Sequence, residues 1–451
     1  MAKRKIKLVS PKMSLRPMDT DLKRLLSPSL SLLSLASLTP NEYEVIIEDE
    51  NIKSIDYSEP ADLVGITVNV DTAKRAYEIS KRFREKGVKV ILGGIHVSAS
   101  PEESKKHSDS ICIGEGIYVW NDVLKDLKTG NLKRIYCRKN NSERYELPTM
   151  NWEFINRNNY LYTNIITASK GCPYCCDFCY NSCEYIDKQY KMRNMADLVN
   201  EIERHETKHI MFIDDNLIGN IEWTKKLLRH IKHLNLSWNG AVSANIGNHP
   251  ELLDMMKETG CKSLFIGFET INNASLMNVN KKQNRAESYE KTIKEIHERE
   301  IMINASIVFG FDNDHSNVFS QTVTWLVENK ISTMTAHILT PYPGTVLFKK
   351  LEKEKRIISY DWNLYNTSNV VFKPRHMTED ELYNGYIWAY NQFYSLQNIF
   401  KRIPDAKNQI APYLLFNLFY RKYGKITCQM TKFGLLNKIG KLARKLSYNI
   451  N

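Results

Sequence analysis

Short apolar blocks separated by polar ones run through the first third of the chain. Residues 5–10, 43–48, 63–68, 88–92 and 110–113 are runs rich in valine and isoleucine, and they read as strands. Between the third and fourth, residues 72–86 place Ala76, Ile79 and Phe83 at helical spacing, and Gly87 follows where a helix stops. Strand and helix alternating in this way predict a parallel, doubly wound α/β sheet, whose ligands lie beyond the carboxyl ends of the strands. Those ends carry Thr67, the run Gly93-Gly94-Ile95-His96 and the run Gly114-Glu115-Gly116. The plainer reading of Gly93, Gly94 and His96 is a strand-to-helix turn with a surface histidine.

A polar stretch, 141–162, contains Pro148, Trp152 and Phe154, and a second alternating series begins at Asn164. Strands are expected at 164–168, 209–214, 238–243, 263–268, 302–309 and 332–338, with helices at 194–205, 221–234, 249–258, 284–299 and 316–328. Six such units fit an open, partial (β/α)6 barrel of the TIM type, with its chemistry at the carboxyl ends of the strands. The expected organisation is a doubly wound (Rossmann-like) domain over 1–140, a linker over 141–162, a barrel over 163–350 and a capping, helical region over 351–451. In the last of these, 378–402 reads as helix. Leu435, Ile439, Leu442 and Leu446 share one helical face within 432–446, beside Lys438, Lys441 and Lys445. A basic amphipathic helix of this kind suits an anionic membrane surface or packs on the protein's own surface.

Composition narrows the class. The chain has 451 residues, 42% hydrophobic and 25% charged, which is ordinary globular material. No apolar run approaches the ~18 residues of a membrane span. The basic N-terminus runs straight into a strand and does not read as a signal peptide. Nine cysteines, an odd number, fit a reducing compartment, so a cytoplasmic location is expected. The net charge of +12 is uneven, since residues 401–451 hold eleven Lys/Arg against one acid. Peripheral membrane contact through this tail is the partner it suggests. No recognition motif supports a nucleic-acid partner.

Three cysteines stand in the run Gly171-Cys172-Pro173-Tyr174-Cys175-Cys176-Asp177-Phe178-Cys179-Tyr180, spaced CxxxCxxC. Three thiolates on one short loop can hold three irons of a 4Fe–4S cluster and leave the fourth iron open to another ligand. Two abutting CxxC pairs, 172/175 and 176/179, also permit a zinc reading, although structural zinc is usually gripped by two separated knuckles. Cys175 and Cys183 read as spare thiols or as ligands of an auxiliary cluster. Cys112, Cys137, Cys261 and Cys428 are scattered singly.

The spacing, with glycine before the first cysteine, proline after it and Phe178 before the last, resembles the signature of radical S-adenosylmethionine (SAM) enzymes. The resemblance implies that Cys172, Cys176 and Cys179 ligate a 4Fe–4S cluster and that SAM chelates its open iron. One electron would then release a 5′-deoxyadenosyl radical that takes a hydrogen from substrate. It also places SAM-binding groups at the strand ends. These are Asp214 and Asp215 after the second strand, Ser243 and Asn245 after the third, and Glu269 in Gly267-Phe268-Glu269-Thr270. Arg193 resembles a family arginine near SAM, with a surface cation as its plainer reading. Taken singly, these strand-end residues also read as turns and helix caps. His230 and His233 read as a solvated helix face.

Residues 1–140 resemble the cobalamin-binding domain of one radical SAM subfamily in "ADLVGITVNV", "VILGGIHVSASPEE" and "IGEG". Thr67, Gly93, Gly94 and Gly114 would line that cofactor. The chain departs from the subfamily in one respect, because none of its eleven histidines follows an aspartate by two positions, so the Asp-x-His-x-x-Gly cobalt ligand is missing. Either cobalamin is bound without a histidine lower ligand or the domain has lost it. The implied reaction is methylation of an unactivated carbon if cobalamin is present. Otherwise it is a radical rearrangement, cyclisation or oxidation. The implied partners are a small-molecule or lipid-like substrate and an electron donor such as flavodoxin or ferredoxin. The rival class is a non-catalytic metal-binding or redox scaffold.

Overall fold

The structure is a computed structural model that describes residues 3–137, 145–184, 186, 188–205 and 207–426. The chain divides into two compact units. The first comprises Met1–Thr163, Phe178–Asp187 and Pro341–Asn366, and the second Asn164–Asp177, Lys188–Thr340 and Thr367–Asn451.

In the first unit, β1 (Arg4–Ser10), β2 (Tyr43–Asp49), β3 (Leu63–Thr67), β4 (Lys89–Gly93), β5 (Ser110–Ile113) and β6 (Ile135–Cys137) form one parallel sheet in the order β2-β1-β3-β4-β5-β6. Both faces are covered, so adjacent strand residues enter different cores. Val64 and Ile66 pack with Ile79 and Phe83 of the helix Ala73–Glu85, whereas Leu63 packs with Leu8, Ile91 and Trp120 on the other face. The strand order reverses between β1 and β3, the switch point where doubly wound sheets hold ligands. A helix at Leu30–Leu38 was not expected from the sequence. Its polar residues are only the three small serines Ser31, Ser34 and Ser37, with Thr39 at its end. The hydroxyls of Ser34, Ser37 and Thr39 each donate 2.7 Å back to the carbonyl four residues earlier, so they need no solvent face.

In the second unit, β7 (Ile165–Ile166) is followed by a two-residue antiparallel pair, β8 (Ser169–Lys170) with β9 (Lys191–Met192). Then come β10 (His209–Phe212), β11 (Ser237–Ser243), β12 (Cys261–Glu269), β13 (Met302–Phe309) and β14 (Thr333–Ile338). The parallel sheet β14-β13-β12-β11-β10-β7 keeps chain order, as an open barrel requires. An open barrel leaves an edge at β14. The helix Glu379–Phe393 covers it with two tyrosines one turn apart. The Tyr390 hydroxyl accepts from the Ala336 amide at 2.9 Å and donates to its carbonyl at 3.2 Å. Tyr394, just beyond the helix, does the same for Met334 at 2.9 and 2.7 Å, so the hydroxyls replace a seventh strand. Among the described residues no helix is long and apolar enough to cross a membrane. The expected basic helix at 432–446 and Cys428 lie outside the described residues.

Candidate active site

The cysteine loop leaves β8 and hangs from the carboxyl ends of the barrel strands. Asp214 is buried just beyond β10 and accepts from the Ala168 amide at 3.2 Å and from both the amide and the hydroxyl of Ser169. Burial pushes its carboxyl up to about 6 against these donors. Asp215 accepts from the Gly171 amide at 3.1 Å. The two acids therefore tie down the backbone that leads into Cys172. Gly171 itself has φ +80°, and a Cβ there would lie 2.8 Å from the Gln189 carbonyl, so the glycine ahead of the cysteines is a steric requirement.

A polar chain continues inward. The Asn216 side-chain amide donates to Cys172 Sγ at 3.8 Å and to Ser243 Oγ at 3.2 Å, and its carbonyl accepts from the Ser243 amide at 3.2 Å. Ser243 donates to Asn245 Oδ1, and Asn245 donates to the Tyr174 hydroxyl at 3.1 Å. Ser243 and Asn245 are thus brought against the cysteine loop at both Cys172 and Tyr174.

The other side of the loop is held by residues 279–284. The Val279 carbonyl accepts from the Asp177 amide at 3.0 Å, Asn280 donates to the Cys175 carbonyl at 3.0 Å, and Gln283 donates to Cys176 Sγ at 3.6 Å. Asn284 anchors the segment to the Gly267 carbonyl at 2.8 Å. Glu269 ends β12 at a bulge with φ +65°. It pairs with Lys281 and accepts from Ser306 at 3.3 Å. Burial raises the Cys172 and Cys176 thiols above their ordinary range, so thiolates here need a compensating positive charge. Tyr174, Lys281 and Gln283 were not singled out from the sequence. The available signal was the amide-rich, aperiodic stretch Asn278-Val-Asn-Lys-Lys-Gln-Asn284 between two helices.

Other positions fall elsewhere. Arg193 is not a surface cation. It is 6% exposed, pairs with Glu201 at 2.6 Å and donates to the Thr167 carbonyl at 3.2 Å. Cys179 belongs to the stretch that packs with the first unit, where its carbonyl accepts from the Ser182 amide at 2.9 Å. Cys183 is buried, with its thiol 3.7 Å from the Pro343 carbonyl. His230 and His233 are exposed, as expected. Among the described residues no three His, Cys, Asp or Glu side chains form a group that could hold a metal ion.

In the first unit, Thr67 ends β3 and Gly93 ends β4. Gly94 has φ +109°, and a Cβ there would lie 2.8 Å from the Val68 backbone. Gly114 has φ +84° with open space where its Cβ would be, and its amide donates to Ser98 at 2.9 Å. His96 is the clear departure from expectation. It is fully buried rather than on the surface, and neither ring nitrogen has a hydrogen-bond partner. Trp362 meets its ring edge-on at 5.6 Å and Glu103 stands 3.9 Å from Nε2. Burial lowers its pKa to about 4, so it is neutral at physiological pH.

The profile of the radical SAM superfamily matches residues 166–320, from β7 through the cysteine loop and past β13. Residues 166–320 thus form a radical SAM domain. A domain of unknown function, DUF4070, matches residues 345–423. The chain is 29% identical over 411 residues to the bacteriochlorophyllide d C-12(1)-methyltransferase of Chlorobaculum tepidum, covering 88% of this chain and 89% of that one. It is 26% identical to the hopanoid C-2 methylase of Rhodopseudomonas palustris over 77% of this chain and 68% of that one. Among solved structures it resembles the radical SAM methyltransferase TsrM from Kitasatospora setae with cobalamin and a [4Fe-4S] cluster bound. The TM-score is 0.65 at 15% identity, over 96% of this chain and all of that one. It also resembles the cobalamin-dependent SAM radical enzyme OxsB with aqua-cobalamin and SAM bound, at TM-score 0.67 and 15% identity, over 98% of this chain and 74% of that one. At these identities the two structures establish the fold.

Proposed function

We propose that this radical SAM enzyme methylates an unactivated carbon of a small molecule, using a 4Fe–4S cluster, SAM and cobalamin. The observation that carries the reading is the cysteine loop, in which Cys172 and Cys176 each receive a side-chain amide. Hydrogen bonds to the sulfurs are a normal feature of iron–sulfur sites, and three thiols are the donor chemistry such a cluster takes. The CxxxCxxC spacing makes Cys179 the third ligand. The first unit fits a large cofactor through the open space beside Gly114, the tight backbone turn at Gly94 and the unpartnered His96 nitrogens. With no Asp-x-His motif, cobalamin would be held without a histidine lower ligand. When bound, the cluster supplies the electron that cleaves SAM, and methylcobalamin supplies the methyl group.

The chain's own residues prepare these steps. Asp214 and Asp215 fix the loop, while Asn216 orients the Cys172 sulfur. Ser243, Asn245 and Glu269 present polar groups to SAM, and Arg193 braces the strand beside them. Thr67, Gly93, Gly94 and Gly114 would line the corrinoid. The chain is read as a cobalamin-type domain over 1–140, a linker over 141–162, a radical SAM core over 163–350 and a capping, basic helical region over 351–451. The relatives named for bacteriochlorophyllide d and hopanoid favour a small-molecule or lipid-like substrate. An external donor such as flavodoxin or ferredoxin supplies the electron. The basic segment 432–446 touches an anionic lipid surface, which co-sedimentation of the full chain and of one ending at Pro404 with anionic liposomes tests directly. For the function itself, the anaerobically reconstituted protein is incubated with cobalamin and desalted. A retained corrinoid spectrum and transfer of label from methyl-labelled SAM to a product are expected. Loss of all corrinoid refutes the methyltransferase reading.

A further inference from the structure

Glu269 does not stand alone at its strand end. The Lys281 ammonium pairs with one carboxylate oxygen, and the Ser306 hydroxyl donates to the other at 3.3 Å. Lys281 and Glu269 are each 7% exposed. The pair is held from both sides. The Lys281 amide donates to the Leu276 carbonyl at 2.9 Å, and its carbonyl accepts from the Asn284 amide at 3.2 Å. Gly267 leaves room for it, since a Cβ there would lie 2.5 Å from Glu269 Oε1 and 3.1 Å from Lys281 Nζ. The same short segment grips the cysteine loop at Cys175 and Cys176. Lys281 thus stands next to Asn280, which holds Cys175, and two residues from Gln283, which donates to Cys176 Sγ at 3.6 Å.

A buried lysine is costly unless it is paired, and breaking a buried pair leaves an uncompensated charge. The placement has a use here, because a cluster held by three thiolates is anionic and reduction adds further negative charge. A cation nearby favours the reduced state, and a carboxylate beside it moderates that effect. Resting on the cluster reading above, we propose that Lys281 is a positioning residue that serves as the cluster's countercharge. The Lys281–Glu269 pair then sets the reduction potential at which SAM can be cleaved.

The test is an EPR-monitored redox titration of the reconstituted full-length enzyme. Lys281→Met is expected to shift the cluster potential to more negative values and Glu269→Gln to more positive values. The double variant should lie between them, and Lys281→Arg should stay near wild type. A pair that only braces the fold would lower stability in both single variants without moving the potentials in opposite directions. Equal potentials, or shifts of the same sign, overturn the proposal. If Lys281→Met fails to assemble a cluster, Glu269→Gln decides alone, and a potential that stays or falls overturns it. A wild-type protein that takes up no cluster overturns the cluster reading itself. A cluster indifferent to both substitutions overturns only the countercharge.

Discussion

At the carboxyl ends of the barrel strands, side chains fix the backbone. At the carboxyl ends of the doubly wound sheet, glycines do. In the barrel, Asp214, Asp215, Asn216, Ser243 and Asn245 form a hydrogen-bonded set that ends on the cysteine loop. In the N-terminal unit the corresponding turns depend on the left-handed Gly94 and Gly114, and the buried polar group beside them, His96, has no hydrogen-bond partner. The first arrangement pre-sets charge and direction for small reacting groups. The second exposes main chain and leaves polar atoms unanswered, as suits a bulky cofactor that brings its own hydrogen-bonding groups.

The contrast can be broken by substitution. The largest effect is expected from Cys176→Ala, which should abolish 5′-deoxyadenosine formation while leaving the apo-protein's thermal midpoint within a few degrees of wild type. Retained product by chromatography would remove the ligand assignment. Gly94→Ala comes next, because strain at φ +109° adds to a 2.8 Å clash with the Val68 backbone. A loss of roughly 4 kcal/mol in denaturant unfolding is expected, together with loss of corrinoid retention. An alanine tolerated without cost would show that the turn yields.

The third test uses pH. Asp314 is 2% exposed and caps the turn after β13, accepting from the Gly310 and Phe311 amides at 2.9 and 3.0 Å. Burial raises its pKa from 3.8 to about 6. The folded state then binds more protons than the unfolded one between these values, so its stability contribution is full below the lower value and is lost as pH rises through about 6. The advantage of wild type over Asp314→Asn should therefore grow by on the order of 3 kcal/mol as pH falls from above 6 towards 4. A constant difference would mean the carboxyl titrates normally. The smallest effect is expected from Tyr390→Phe, which strips the hydroxyl from the Ala336 amide and carbonyl and should cost about 2 kcal/mol. An unchanged unfolding midpoint would show that water replaces it.

Much of this was readable from the chain. The expected strands at 110–113 and 302–309 coincide with β5 and β13, because short β-branched runs between turn signals leave little ambiguity. The helix at Leu30–Leu38 was hidden because its only polar residues are three serines, with no charged face to set the period. β8 and β9 are too short to show any period. Lys281 and Gln283 escaped for a different reason: a segment's grip on a loop 105 residues away, as between Asn280 and Cys175, leaves no local pattern. Burial of His96 and Arg193 likewise depends on Trp362 and Glu201, brought in by the fold.

The central claim is that the cysteine loop holds a SAM-cleaving cluster. It is tested most directly by reconstituting the enzyme anaerobically with iron and sulfide, reducing it, adding SAM and measuring 5′-deoxyadenosine. The account predicts SAM-dependent product that tracks cluster content. An intact, reducible 4Fe–4S cluster that yields none would contradict it.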